Sequence, residues 1–165
     1  TGRFEVIDSD RPFSVVVDYA HTPDSLENVL TAASALPHGK LIAIVGAGGD
    51  RDRAKRPLMG AAAARHADVV YVTSDNPRSE DPAAIAAEVH TGASEAAQSS
   101  GARVEVELDR RSAIERAIAE ADAGDIVMIA GKGHEQGQEF ADGRKIPFDD
   151  ATVARESLQQ LGAVG

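Results

Sequence analysis

Three polar loops hold most of the side chains in this chain that could do chemistry. They are Gly46-Ala47-Gly48-Gly49-Asp50-Arg51-Asp52, Asp75-Asn76-Pro77-Arg78 and Gly131-Lys132-Gly133-His134-Glu135, and each follows an apolar run. An arginine fork matches a carboxylate with two hydrogen bonds. An asparagine amide offers both a donor and an acceptor. A glutamate suits an ammonium group, and glycines let a backbone come close. Together these groups suit a small polar ligand that carries both charges. A fourth cluster, Asp18-Tyr19-Ala20-His21, ends another apolar run.

The obvious nucleotide motifs fail. A dinucleotide fingerprint starting at Gly46 needs glycine at position 51, which is arginine. A Walker loop ending at Lys132 needs glycine at 126 and Ser or Thr at 133, which are isoleucine and glycine. His134 and Glu135 make no metal site without further ligands, so no metal site is expected. No G-x-S-x-G or H-E-x-x-H is present. His38, His66 and His90 read as solvated or packed side chains. Taken singly, each loop also reads as an ordinary turn with solvated charges; their recurrence is what singles them out.

Five short apolar runs must position these loops: Ser14 to Asp18, Leu41 to Val45, Val69 to Thr73, Val104 to Glu107 and Ile126 to Ala130. Several are continuous rather than alternating, as in strands buried on both faces of a parallel sheet. Helical patterns lie between and after them. One opens at Pro23 behind the N-cap Thr22, and others run over Pro57 to Ala67, Pro82 to Ala97 behind Asp81, Arg111 to Ala121, and Thr152 to Leu161 behind Asp149 or Asp150. The alternation predicts an α/β fold: a three-layer, Rossmann-like, mostly parallel sheet with helices on both faces. Phe140 to Phe148 reads as a hairpin turning at Asp142-Gly143, or as an antiparallel edge strand near the C-terminus. In such a sheet, loops leaving the carboxyl ends of the strands share one rim, where ligands bind.

The 165 residues read as one domain, long enough to bury roughly 70% of its unfolded surface. There is no cysteine, which excludes a disulfide framework and a thiolate nucleophile and fits a reducing cytoplasm. The net charge of −10 argues against nucleic acid and anionic membranes as partners. No apolar stretch approaches the ~20 residues of a membrane span. The chain opens on Thr1 and runs straight into strand-like Gly2 to Ile7. We read residues 1–10 as a junction from a preceding domain and 11–165 as the domain itself.

Four ordered blocks carry a family resemblance: Val16-Val17-Asp18-Tyr19-Ala20-His21-Thr22-Pro23-Asp24-Ser25-Leu26-Glu27; Gly48 to Asp52 with Lys55-Arg56-Pro57-Leu58-Met59-Gly60; Asp75-Asn76-Pro77-Arg78; and Ala130 to Glu135. Ile146-Pro147-Phe148-Asp149-Asp150 adds a fifth. The chain resembles the C-terminal domain of the Mur ligases, and among them the enzymes that add the third residue of the peptidoglycan stem peptide.

The resemblance implies a cytoplasmic, ATP-dependent amide-forming reaction. ATP activates the carboxylate of UDP-N-acetylmuramoyl-L-alanyl-D-glutamate as an acyl phosphate, and the amine of a diamino acid attacks it. The Asp-Asn-Pro-Arg motif implies meso-diaminopimelate rather than L-lysine. On this basis Arg51, Asn76 and Arg78 contact the carboxylate of the amino acid, and Gly131 and Glu135 complete the distal pocket. Asp75 and Pro77 shape the loop, while Asp18, Tyr19 and His21 approach ATP. The family's ATP and Mg2+ sites belong mainly to a central domain, and the uridine nucleotide to an N-terminal one. This segment alone is therefore expected to be inactive. His21, His134 and Glu135 stand equally as candidates for the base that serves the incoming amine. A lysine-adding or other ligase of the superfamily, or a stand-alone small-molecule-binding module, remain the alternatives.

Overall fold

The computed structural model describes residues 4–133 and 135–164, with side chains described through residue 161. His134, and Gly2 and Arg3 of the expected junction, lie outside the described residues.

Six strands form the main sheet: β1 (Glu5–Val6), β2 (Ser14–Asp18), β3 (Leu41–Val45), β4 (Val69–Val72), β5 (Arg103–Val106) and β6 (Ile126–Ala130). Their order is β1-β2-β6-β3-β4-β5, and every pairing is parallel except β1 with β2. β3, β4 and β6 are buried at every position. The reason is that helices cover both faces, so alternate residues have no polar side to face. α1 (Pro23–Ser34), α2 (Lys55–His66) and α3 (Pro82–Ser100) pack on one face, around Leu26, Leu30, Met59, Ala63 and Val89. α4 (Arg110–Glu120) and α5 (Asp150–Val164) cover the other, around Ile114, Ile118, Val153 and Leu158.

Local chemistry explains the helix starts. Thr22 caps α1 through a reciprocal pair: its Oγ1 accepts from Ser25 N (3.1 Å) and Ser25 Oγ accepts from Thr22 N (3.0 Å), with Pro23 at the first helical position. Asp81 caps α3, which ends at Gly101 in the left-handed region (φ 81°). α2 begins at Lys55, two residues before the expected Pro57, because proline lacks only an N–H that the first turn does not use. α2 and α3 lie unusually close. A Cβ on Gly92 would sit 1.8 Å from Pro57 O, and one on Gly60 2.0 Å from Val89 O.

The hairpin forms, but earlier and elsewhere than the edge-strand option foresaw. β7 (Gly137–Glu139) and β8 (Lys145–Pro147) make their own two-stranded sheet, and the tight turn between them holds Asp142 and Gly143 at positive φ. The edge beside β2 is taken by β1 instead, with Ile7 N donating to Val15 O beyond it. β7 is tied to the loop after β4: Arg78 N donates to Glu139 O (2.9 Å), and Glu139 N to Asn76 Oδ1 (3.0 Å). The hairpin is thereby part of the rim.

Candidate functional site

β2, β3 and β4 hand the chain to helices on one face of the sheet, while β6 continues towards α5 on the other. β6 and β3 are neighbours in the sheet. Chains that diverge to opposite faces leave a crevice between the carboxyl ends of adjacent strands. A cleft of about 490 Å³ lies there. It is lined by Arg51, Asp75, Asn76, Arg78, Gly131 and Glu135, with Tyr19 and His21 at its side. Six of the seven residues expected at the amino-acid site, the five contacts and the loop-shaping Asp75, therefore share one cavity. Pro77, the seventh, packs with its carbonyl against Gly49 instead.

The first two loops are zipped together. Gly49 N donates to Asn76 O (2.7 Å), and Arg78 Nη1 donates to Gly49 O (2.8 Å). Arg78 holds a left-handed backbone (φ 53°), a conformation that costs a non-glycine residue energy and persists because its surroundings enforce it. Its Nε donates to Glu139 Oε2 (3.0 Å). That leaves Nη2 as the end of the fork without a protein partner among the described residues. Arg51 is exposed and, among the described residues, donates only to the neighbouring Asp50 O (3.0 Å). Arg53, the other arginine of that loop, is bound to Glu88 (2.6 Å), so Arg51 is the one available to an anion.

Three buried cations support the loops, and sequence reasoning assigned none of them a role. Arg56 reaches Glu80 and Glu88 (both 2.6 Å) and Gly48 O (3.2 Å). Arg110 pairs with Asp150 and bonds Ser74 O and Ala130 O. Lys132 sits between the second and third loops, its Nζ 2.8 Å from Asp75 Oδ1 at ion-pair distance and donating to Asn76 Oδ1 and Gly137 O (both 2.9 Å). A signal existed for two of them. Arg56 is in phase with the buried Met59, Gly60 and Ala63, and Arg110 with Ala113, Ile114 and Ala117. A charge on the apolar stripe of a helix must be paired. Lys132 lies in a loop, where no periodicity marks burial.

Glu80 reports on this scaffold. The Arg56 guanidinium, aided by the Asp50 N–H, holds its carboxyl down to about 2 from the ordinary 4.5. A carboxyl depressed by folding contributes stability that is present above its unfolded value and lost as the pH falls through its folded value. The thermal midpoint is therefore expected to drop between about pH 4.5 and pH 2. Glu80→Gln should show a flatter profile in that window; an unchanged slope in the variant would remove Glu80 from the account.

Asp18 sits where β2 ends. It is buried, and its two oxygens accept from Phe4 N (2.6 Å) and Ala20 N (2.7 Å), tying the start of the domain to the β2 turn. It lines a neighbouring hollow of about 320 Å³ together with Tyr19 and His21. His21 is exposed, and its ring packs on Tyr19 with centroids 4.6 Å apart. Its Nδ1 lies 3.0 Å from Tyr19 O; a carbonyl only accepts, so Nδ1 carries the proton and Nε2 is the acceptor in the neutral ring. Among the described residues, no group of three or more His, Asp or Glu side chains could hold a metal ion, and no helix is long and apolar enough to cross a membrane.

Fold and cleft define a Rossmann-like domain whose rim carries cations and a carboxylate on facing loops. Its family is the Mur ligases: the chain belongs to the group described as "Mur ligase, glutamate ligase domain", whose family model matches residues 2–133. It is 52% identical over 164 residues to the UDP-N-acetylmuramoyl-L-alanyl-D-glutamate--2,6-diaminopimelate ligase of Aquifex aeolicus (strain VF5), covering 99% of this chain and 33% of that protein. It is 55% identical over 161 residues to the ligase of the same name from Solibacter usitatus (strain Ellin6076), covering 98% and 32%. A solved structure of a ligase of that name superposes with a TM-score of 0.86 at 45% identity, over 98% of this chain and 32% of the other. The chain thus spans about a third of the length of the curated relatives it matches.

Proposed function

We propose that this chain is the amino-acid-presenting C-terminal domain of a cytoplasmic ATP-dependent ligase that adds meso-diaminopimelate to UDP-N-acetylmuramoyl-L-alanyl-D-glutamate in peptidoglycan precursor synthesis. Residues 1–10 serve as the junction from the central domain. The observation that carries the reading is the cleft itself: Arg51, Arg78 and Asn76 face it together with Glu135. This is a donor set and an acceptor within one small cavity, complementary to an α-amino-acid centre. Diaminopimelate has such a centre at its far end, where lysine has only an ammonium. A site built to pair that extra carboxylate penalises the ligand that leaves it unpaired. The relatives' names and their threefold length support this reading over a stand-alone binding module.

The described residues do not fit the phosphates of ATP or Mg2+. At Gly49 the space beside the backbone is filled by Pro77 O, and at Gly131 the nearest group is the Asp75 carboxylate, which repels a phosphate. We assign both groups mainly to the central domain, and the uridine nucleotide to the N-terminal one. Tyr19 and His21 stand at the rim as the residues that meet ATP. What this chain contributes is to bind the diamino acid, orient its reacting amine outward and exclude the wrong acceptor. His21, His134 and Glu135 are candidates to take the amine's proton.

In the full-length enzyme, meso-diaminopimelate should be strongly preferred to L-lysine. Arg78→Ala should lower kcat/KM for diaminopimelate by about 10- to 100-fold, the worth of a charged hydrogen bond. Equal use of lysine by the unmodified enzyme overturns the reading.

A further inference from the structure

Lys132 belongs to the third loop, but its ammonium is wholly buried behind the cleft and does not line it. An ammonium has three protons. Two of those of Lys132 go to Asn76 Oδ1 and Gly137 O (both 2.9 Å), and Nζ lies 2.8 Å from Asp75 Oδ1 as an ion pair; with no exposed surface, the ammonium is out of a ligand's reach. Glu135 Oε1 lies farther off, at 3.6 Å.

The consequence falls on Asn76. Two donors converge on one atom of its side chain, Lys132 Nζ (2.9 Å) and Glu139 N (3.0 Å). That atom must be the amide oxygen, because a flipped amide would set its NH2 against an ammonium and a backbone N–H. The orientation leaves Nδ2 on the other side, 3.5 Å from Glu135 Oε1, a distance too long to hold it firmly. Nδ2 is therefore a donor available to the cleft. An unrestrained asparagine could present either end, and its oxygen would repel a ligand carboxylate. A neutral donor of fixed polarity discriminates between carboxylate and ammonium without adding charge to the cleft.

We propose that Lys132 is a positioning residue that sets specificity: it locks the Asn76 amide with its NH2 towards the cleft, so that the site accepts a carboxylate there and rejects an ammonium. The inference rests on the proposed function for the nature of the ligand, and on geometry alone for the lock.

The test is a double-mutant cycle in the full-length ligase, with Lys132→Met, Asn76→Ala and the pair, measuring kcat and KM for each substrate. If Lys132 acts through Asn76, each single change raises KM for the diamino acid roughly tenfold, and the pair raises it little further. kcat and KM for the nucleotide-linked peptide should stay within about threefold, on the same additivity argument. A pair whose effect equals the product of the singles, or a Lys132→Met enzyme with both KM values raised alike, overturns the inference. Asn76→Asp guards against a Lys132 variant that fails to fold. It keeps an oxygen for Lys132 and for Glu139 N but turns an oxygen to the cleft. The helical content should match that of the unmodified protein, while use of diaminopimelate is lost; retained use also overturns it. The cycle is read on whichever amino acid the unmodified enzyme prefers. Failure to use diaminopimelate therefore counts against the proposed function, and additivity against Lys132.

Discussion

Arg110→Ala is expected to lower the thermal midpoint by about 10 °C or more, the equivalent of roughly 3–5 kcal/mol in a chain of this size. Arg110 and Asp150 are both without solvent exposure and meet through two bonds of 2.8 and 2.7 Å. Truncation leaves the Asp150 carboxylate buried without its cation. It also strips a donor from Ser74 O (3.2 Å) and Ala130 O (3.1 Å), the carbonyls that lead into the second and third loops. The cost is a large part of the roughly 5–15 kcal/mol that holds a domain together. The mechanism predicts its own rescue. Arg110→Met combined with Asp150→Leu removes both charges and should recover most of the midpoint, since a buried pair is dearer to break than to replace. A single variant that melts within 2 °C of the unmodified protein, on the scale expected for this chain length, would contradict the account.

Gly49→Ala is expected to cost about a hundredfold in kcat/KM for the diamino acid, the effect of displacing a binding group by about an ångström. A Cβ on Gly49 would lie 1.7 Å from Pro77 O, a backbone atom that cannot swing aside. The loops must part. Parting them breaks Gly49 N to Asn76 O and Arg78 Nη1 to Gly49 O, and with them the aim of both cleft donors. Gly49 touches loop rather than helix or sheet in this contact, so the helical content should be retained. The check is steady-state kinetics of the full-length enzyme beside its circular dichroism. Unchanged KM and kcat for the amino acid would show that the zipper does not set the site.

The parallel sheet and its helices were readable because their determinants are local. Continuous runs such as Leu41–Val45 and Ile126–Ala130 announce burial on both faces, and Thr22-Pro23 and Asp81-Pro82 announce helix starts. The hairpin was harder. Its Asp-Gly turn is a local signal, but the alternative of joining the sheet depended on which segment took the edge beside β2. That is a competition between distant parts of the chain.

The candidate site divides in the same way. Residue types and loop positions in the sequence determine that Arg51, Asn76, Arg78, Gly131 and Glu135 can meet on one rim and suit a ligand of mixed charge. A strand-to-loop alternation dictates a shared rim wherever the sheet is parallel. Only the tertiary structure decides which of these groups remain free to act. Asp18 is spent on backbone N–H groups, Arg53 on Glu88, and two corners of Arg78 on Gly49 and Glu139. It also reveals Arg56, Arg110 and Lys132 as the buried cations beneath the loops. The physical reason is that a side chain's availability depends on partners across the fold: Lys132 meets Asp75 and Asn76, more than fifty positions away in the chain, and no local pattern encodes that meeting.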